Sequence, residues 1–215
     1  MVATVKRARA YSSPVRDEQA ARTRSRILDA ASELFLDAGY ARTTMKDIAD
    51  RAGVARDTVH AVFGSKAQVL TALIDVRLVP DGSVANVREL PDSLAVRDEA
   101  DQRRQVQLLA RFLTRLSVQL RPVFEILRTA SAVEPEMAAV FAEMDQFRLV
   151  NMQTYAKWIA ANGPLRMTTR KAAEAIWVLA SPDVGRMLCD QLGFSQVQHE
   201  RWLADALERT LLPDE

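Results

Sequence analysis

The chain has 215 residues, 48% of them hydrophobic and 27% charged, with a formal net charge of +1. This balance is ordinary for a globular protein in water. No apolar run approaches the roughly 18 residues needed to span a bilayer, which excludes a membrane-embedded chain. Seven Gly and eight Pro stand against abundant Ala, Leu and Arg, a composition that favours helices over sheets. A single cysteine, Cys189, excludes an internal disulfide framework and a cysteine-cluster metal site, and points to the cytoplasm. The basic, polar N-terminus lacks the apolar core of a secretory signal. Charge is unevenly spread, with residues 1–70 at net +4 and the remainder at net −3. Such an arm suits polyanion binding, or else is a solvated tail.

Residues 1–20 lack periodicity and read as a disordered basic tail. Ile27, Leu28, Ala31, Leu34 and Phe35 then recur at spacings of three and four, predicting a helix over 22–38 that Gly39 ends. Thr44 offers an N-cap with Asp47 in a capping-box position, opening a short helix that stops at Gly53. A third helix is expected over 56–63 and a fourth over 66–79. Residues 80–94, with two prolines and a glycine, read as a linker. Further helices are expected over 99–120, 121–132, 134–162, 169–192 and 195–212, punctuated by Pro122, Pro135, Gly163-Pro164 and Gly193. Pro182 should kink or split the helix that contains it. The fold class is therefore all-α.

Residues 44–63, TMKDIADRAGVARDTVHAVF, hold two short helices joined by a tight turn. Ala49 and Ala52 are small enough for the helices to cross closely, Gly53 makes the turn, and Val54 fills the space between them. These are the parts of a helix-turn-helix, whose second helix can enter the major groove. A helical corner in an unrelated protein would use the same parts. The longer stretch 24–70 closely resembles the DNA-binding domain of TetR-family regulators, through Gly39-Tyr40, Thr43-Thr44, Ala52-Gly53-Val54 and Phe63-Gly64-Ser65-Lys66. The sequence from Trp177 onward also looks like the last two helices of many such regulators.

That resemblance implies a DNA-binding domain at 21–66 and a larger helical domain at 67–215 that dimerises and often holds a small effector. Thr44 and Arg42 would then contact phosphate, and Arg56 would reach a base edge. Asp57, Thr58 and His60 would lie on the exposed recognition face, and Lys66 would bind backbone phosphate at a helix N-terminus. Arg22, Arg24 and the tail arginines would add non-specific contacts. Three departures stand out. Ala55 replaces a capping Ser or Thr, Asp57 replaces a small residue, and His60-Ala61 replaces an aromatic-rich pair. His60 is read as a neutral polar contact rather than a pH sensor.

Aromatic and Met residues crowd the central helices. Phe112, Phe124, Met144, Phe147 and Tyr155 could line an effector pocket, with Arg148 and Asn151 orienting a ligand, or could form a plain core. Trp177, Val184, Met187, Leu188, Trp202, Leu203 and Leu207 form stripes that either pack internally or pair two subunits into a four-helix bundle, and the resemblance implies the two-fold dimer interface. No phosphate loop, nucleophile elbow or zinc-ligand helix motif occurs, so no catalytic residue, metal or cofactor is expected. The reading is a dimeric, ligand-responsive repressor binding a pseudo-palindromic operator. Its alternatives are an activator of the same fold and a helical protein-binding adaptor.

Overall fold

A computed structural model describes residues 14–78 and 87–214 of the chain, and among these every regular element is a helix. Two compact units divide it, the first ending at Val69 and the second starting at Leu70.

The first unit holds α1 (Pro14–Asp37), α2 (Met45–Ala52), α3 (Arg56–Phe63) and the start of α4 (Lys66–Leu78), which carries the chain into the second unit. α1 begins eight residues before the sequence pattern predicts. Proline is accepted in a helix's first turn, and the exposed Arg22–Glu18 pair, four residues apart, supports helix where no apolar stripe exists. The first thirteen residues of the expected tail lie outside the described residues. The core follows the stripe: Ile27, Ala31, Phe35, Tyr40, Ile48, Val59 and Val69 are buried, and the Phe35 and Tyr40 rings stack at 5.1 Å.

The second unit contains a single 3-10 turn (Val87–Glu89), α5 (Pro91–Asp98), α6 (Gln102–Ser131), α7 (Pro135–Ala161), α8 (Thr169–Leu179), α9 (Pro182–Arg186) and α10 (Gln196–Leu211). α9 runs on as a π-helical turn, Met187–Gln191. α6 packs against α7 and α10, and α8 packs against α7 and α10. Leu109, Leu113, Ile159, Ile176, Leu203 and Leu207 meet in their shared core.

Two expectations change here. α5 begins inside the expected linker and runs past its end, because Pro91 starts a helix rather than breaking one, and Ser93 and Val96 of that helix are buried. The expected break at Pro122 is absent. α6 runs through it, since burial of Leu120, Val123, Ile126 and Leu127 outweighs one missing backbone hydrogen bond. Pro182 does split its helix, and Ser181 caps the new start by accepting from the Val184 amide at 3.2 Å.

Buried polar groups are paired where they cross elements. Gln105 donates to the Val96 carbonyl at 2.8 Å, and Asn162 donates to Gln105 and to the Glu99 carbonyl. Ser93 Oγ and Tyr155 Oη meet at 2.9 Å in the α5–α7 contact. Burial pushes the Tyr155 phenol up to about 12, from an ordinary 10.0. An unfolded Tyr155 loses its proton first, so stability is expected to fall as pH rises from 10 toward 12. Ultraviolet phenolate titration should show a late step that Tyr155→Phe removes; a chain whose phenols all ionise together near pH 10 would contradict the burial argument.

Candidate DNA interface and effector cavity

The helix-turn-helix is built on its caps. Thr44 Oγ1 accepts from the Asp47 amide, and Asp47 accepts from the Thr44 amide at 2.9 Å, closing a capping box at the start of α2. The Thr44 hydroxyl, and then the Thr44 amide, hold the Asp47 carboxyl below its ordinary range by donating to it. Thr44 also donates its hydroxyl hydrogen to Asp47 at 2.7 Å, so the donor expected to reach phosphate is already committed inside the cap. Thr43 is buried and donates to the Leu34 and Gly39 carbonyls, fixing the corner before α2.

Gly53 ends α2 in the left-handed region, at φ 63°, and its amide bonds back to Asp50. One residue that sequence reasoning did not single out holds this turn. The Arg26 guanidinium donates to the Ala52 and Gly53 carbonyls, fastening α1 to the end of α2. Arg24 lies over the Phe63 ring at 4.6 Å, fastening α1 to α3. Their i,i+2 spacing on a basic helix carried no sign of this, because both partners lie far along the chain.

α3 starts at Ala55 without a side-chain cap, as the departure at that position implied. Arg56, Asp57 and His60 are exposed, and Thr58 is half-buried beside them, so the presumed recognition face is open. His60 Nδ1 stands 3.0 Å from the Gly64 carbonyl. A carbonyl only accepts, so Nδ1 carries the proton and Nε2 is left as an outward acceptor. Arg42 is exposed and spends one donor on the Ala38 carbonyl at 2.7 Å. Lys66 differs from expectation. Its ammonium donates to the Tyr40 and Thr43 carbonyls at 2.9 and 3.1 Å and lies 4.2 Å from the Tyr40 ring centre. It braces the α1–α2 corner rather than standing free for phosphate.

In the second unit a cavity of about 420 Å³ opens among α4, α6 and α7. Five of the seven expected pocket residues line it: Phe124, Met144, Phe147, Arg148 and Asn151. Phe112 and Tyr155 do not. Both are buried in the hydrophobic core, edge to face at 6.1 Å, with Tyr155 bonded to Ser93 of α5. The walls also include Ile74, Leu113, Leu116, Leu120, Val140 and Met152, with Asp75 and Glu143 as carboxylates. Arg148 is largely spoken for. It donates to the Trp177 carbonyl at 2.7 Å, stacks on the Trp177 ring at 4.3 Å and faces Asp145, while burial lowers its pKa from the ordinary value.

The expected interface stripes divide. Leu188, Leu203 and Leu207 are buried within the chain's own core, so they are not free for a partner. Trp177, Val184 and Trp202 are half-buried, and Trp177 Nε1 donates to the Asp145 carbonyl. Met187 alone of the seven is exposed, at 42%. Val178, Leu192 and Val197 are exposed as well, and the sequence pattern did not separate them from core leucines. No helix among the described residues is long and apolar enough to cross a membrane, and those residues contain no group of three metal-ligating side chains.

Residues 27–73 match the model of bacterial regulatory proteins of the tetR family. The HTH-type transcriptional regulator TtgR of Pseudomonas putida is 45% identical over 58 residues, covering 27% of this chain and 28% of its own length. The HTH-type transcriptional activator FasR of Mycolicibacterium smegmatis is 34% identical over 128 residues, 58% of this chain and 52% of its own. These matches thus span between about a quarter and a half of the relatives they involve. The solved structure of NalD, the secondary repressor of the MexAB-OprM multidrug efflux pump in Pseudomonas aeruginosa, superposes with a TM-score of 0.68 at 23% identity, over 91% of this chain and 100% of NalD. Residues 27–73, which hold the helix-turn-helix, thus match the tetR family of bacterial regulatory proteins, and the all-helical fold of the chain is similar to that of NalD.

Proposed function

We propose that the chain is a homodimeric, sequence-reading transcriptional repressor that works in the cytoplasm and is released from its operator by a small apolar effector. The first unit supplies DNA binding and the second supplies dimerisation and the effector cavity, with the division near residues 66–70. The open face of α3, with Arg56, Asp57 and His60 exposed, carries the reading. An arginine at the first turn of such a helix suits guanine O6 and N7, and the His60 Nε2 acceptor suits an amino group on a base edge. Two such helices, one per protomer, would read half-sites about a helical turn apart. Phosphate contact falls to Arg42 and the N-terminus of α4 rather than to the Thr44 hydroxyl or the Lys66 ammonium. α4 is one continuous helix whose first turn holds Lys66 and whose later turns supply Thr71, Ile74 and Asp75 to the cavity. An effector that moves α4 would therefore shift the population away from the DNA-binding state. No residue is assigned a catalytic step.

Activation is the second reading, favoured by the relative FasR, which is a transcriptional activator. Operator position relative to the promoter separates the two. Selection of bound sequences from random duplex DNA, followed by a salt titration, tests the common core of both. The expected result is a pseudo-palindrome bound in the nanomolar range, weakened about a hundred-fold by Arg56→Ala with Thr58→Ala, since each good base contact is worth about 1–3 kcal/mol. Weak binding without sequence preference, falling steeply with salt, would leave the protein-binding adaptor as the better reading.

A further inference from the structure

The cavity between α4, α6 and α7 holds one polar group in an unusual state. Asn151, in the middle of α7, is 3% exposed and lines the cavity, and its Oδ1 is buried with no hydrogen-bond partner among the described residues. An unpaired buried carbonyl oxygen is a standing cost, because the donor it had in water is lost and not replaced. The walls are mostly apolar, with Leu113, Phe124, Met144, Phe147 and Met152 among them. The charged groups on the cavity point the same way. Asp75 and Glu143 are carboxylates, and the single arginine, Arg148, already serves the Trp177 carbonyl and Asp145.

Resting on the effector reading above, we propose that the ligand is an apolar molecule with one hydroxyl or N–H donor and no negative charge, and that Asn151 Oδ1 receives this donor. A carboxylate-headed ligand would meet Asp75 and Glu143 with no uncommitted cation among the described residues of the cavity wall to offset them. A purely apolar ligand would fill the volume but leave this already buried oxygen without a partner. A donor-bearing ligand meets both conditions at once. Discrimination of this kind is strong, since a site built to accept a hydrogen bond rejects the analogue lacking it.

The test uses the full chain and three probes of similar size: 4-hexylphenol, its methyl ether 4-hexylanisole, and 4-hexylbenzoate. Affinities are measured by calorimetry, alongside the effect of each probe on operator binding. The phenol is expected to bind about ten-fold or more tightly than the ether, with the benzoate weakest. Asn151→Leu should erase the phenol's advantage while leaving the ether's affinity within about two-fold. The wild-type comparison of phenol and ether needs no variant, so a misfolded Asn151→Leu would not spare the proposal. Phenol and ether binding equally, with both still weakening operator binding, would overturn the role of Asn151 and leave the effector reading standing. A benzoate preference would show that Asn151 presents its amide nitrogen instead, and would overturn the donor assignment. No binding by any probe would overturn both the ligand class and the cavity's role as an effector site.

Discussion

Gly53→Val is expected to destroy operator binding and lower the melting temperature of the first unit, with a loss of about 2–4 kcal/mol. Two independent terms add at this position. The backbone sits at φ 63°, a region where a β-branched residue is a severe outlier. A Cβ there would also lie 2.9 Å from the Arg26 guanidinium, displacing the group that holds the Ala52 and Gly53 carbonyls. A unit this small has little stability to spare. Gly39→Val is the matched control. Gly39 also has a positive φ, of 83°, but open space surrounds its Cβ direction, so only the backbone term applies. Circular dichroism melts of the two variants, with operator affinity measured in parallel, separate the terms. If Gly53→Val melts no lower than Gly39→Val, the Arg26 clasp contributes nothing. A double-mutant cycle adds a second check, because Arg26→Ala should cost little once Gly53→Val has displaced the guanidinium.

If the chain dimerises as proposed, replacing Met187 and Leu192 together by Asp is expected to turn the proposed dimer into a monomer and weaken operator binding by about a thousand-fold, since one half-site must then be held alone. The sequence stripes place Leu188, Leu203 and Leu207 in this interface, but all three are buried in the chain's own core. The exposed apolar side chains on this part of the fold are Val178, Met187, Leu192 and Val197, between 42% and 66% exposed. A contiguous exposed apolar patch marks an association surface, and these four side chains are the candidates to form one. Sedimentation of the variant gives the answer. A double variant that keeps a dimer's mass and its operator affinity would move the interface to another face of the unit. Leu203→Asp is the contrasting case, expected to unfold the second unit rather than dissociate it.

Most of the first unit was legible in residue order because its signals are local. The cap at Thr44, turns at Gly39 and Gly53 and stripes at three- and four-residue spacing each act within one helical turn, so the sequence by itself determined the helix-turn-helix, its flanking helices and the all-α class. Where the reading failed, the deciding partner lay far along the chain. Pro122 leaves α6 unbroken because Leu120, Val123, Ile126 and Leu127 on its flanks are buried, and Pro91 opens α5 because Val96 has a core to enter. Lys66 and Thr44 have the residue types of phosphate ligands, yet the carbonyls of Tyr40 and Thr43 and the Asp47 carboxylate hold them. Phe112 and Phe124 lie on one helix and are alike in kind, but one enters the core and the other the cavity, a choice made by which helices α6 faces. Sequence periodicity determines which side of a helix is apolar; only tertiary packing decides whether that side meets the chain's own core, a cavity or a partner, because all three bury the same surface.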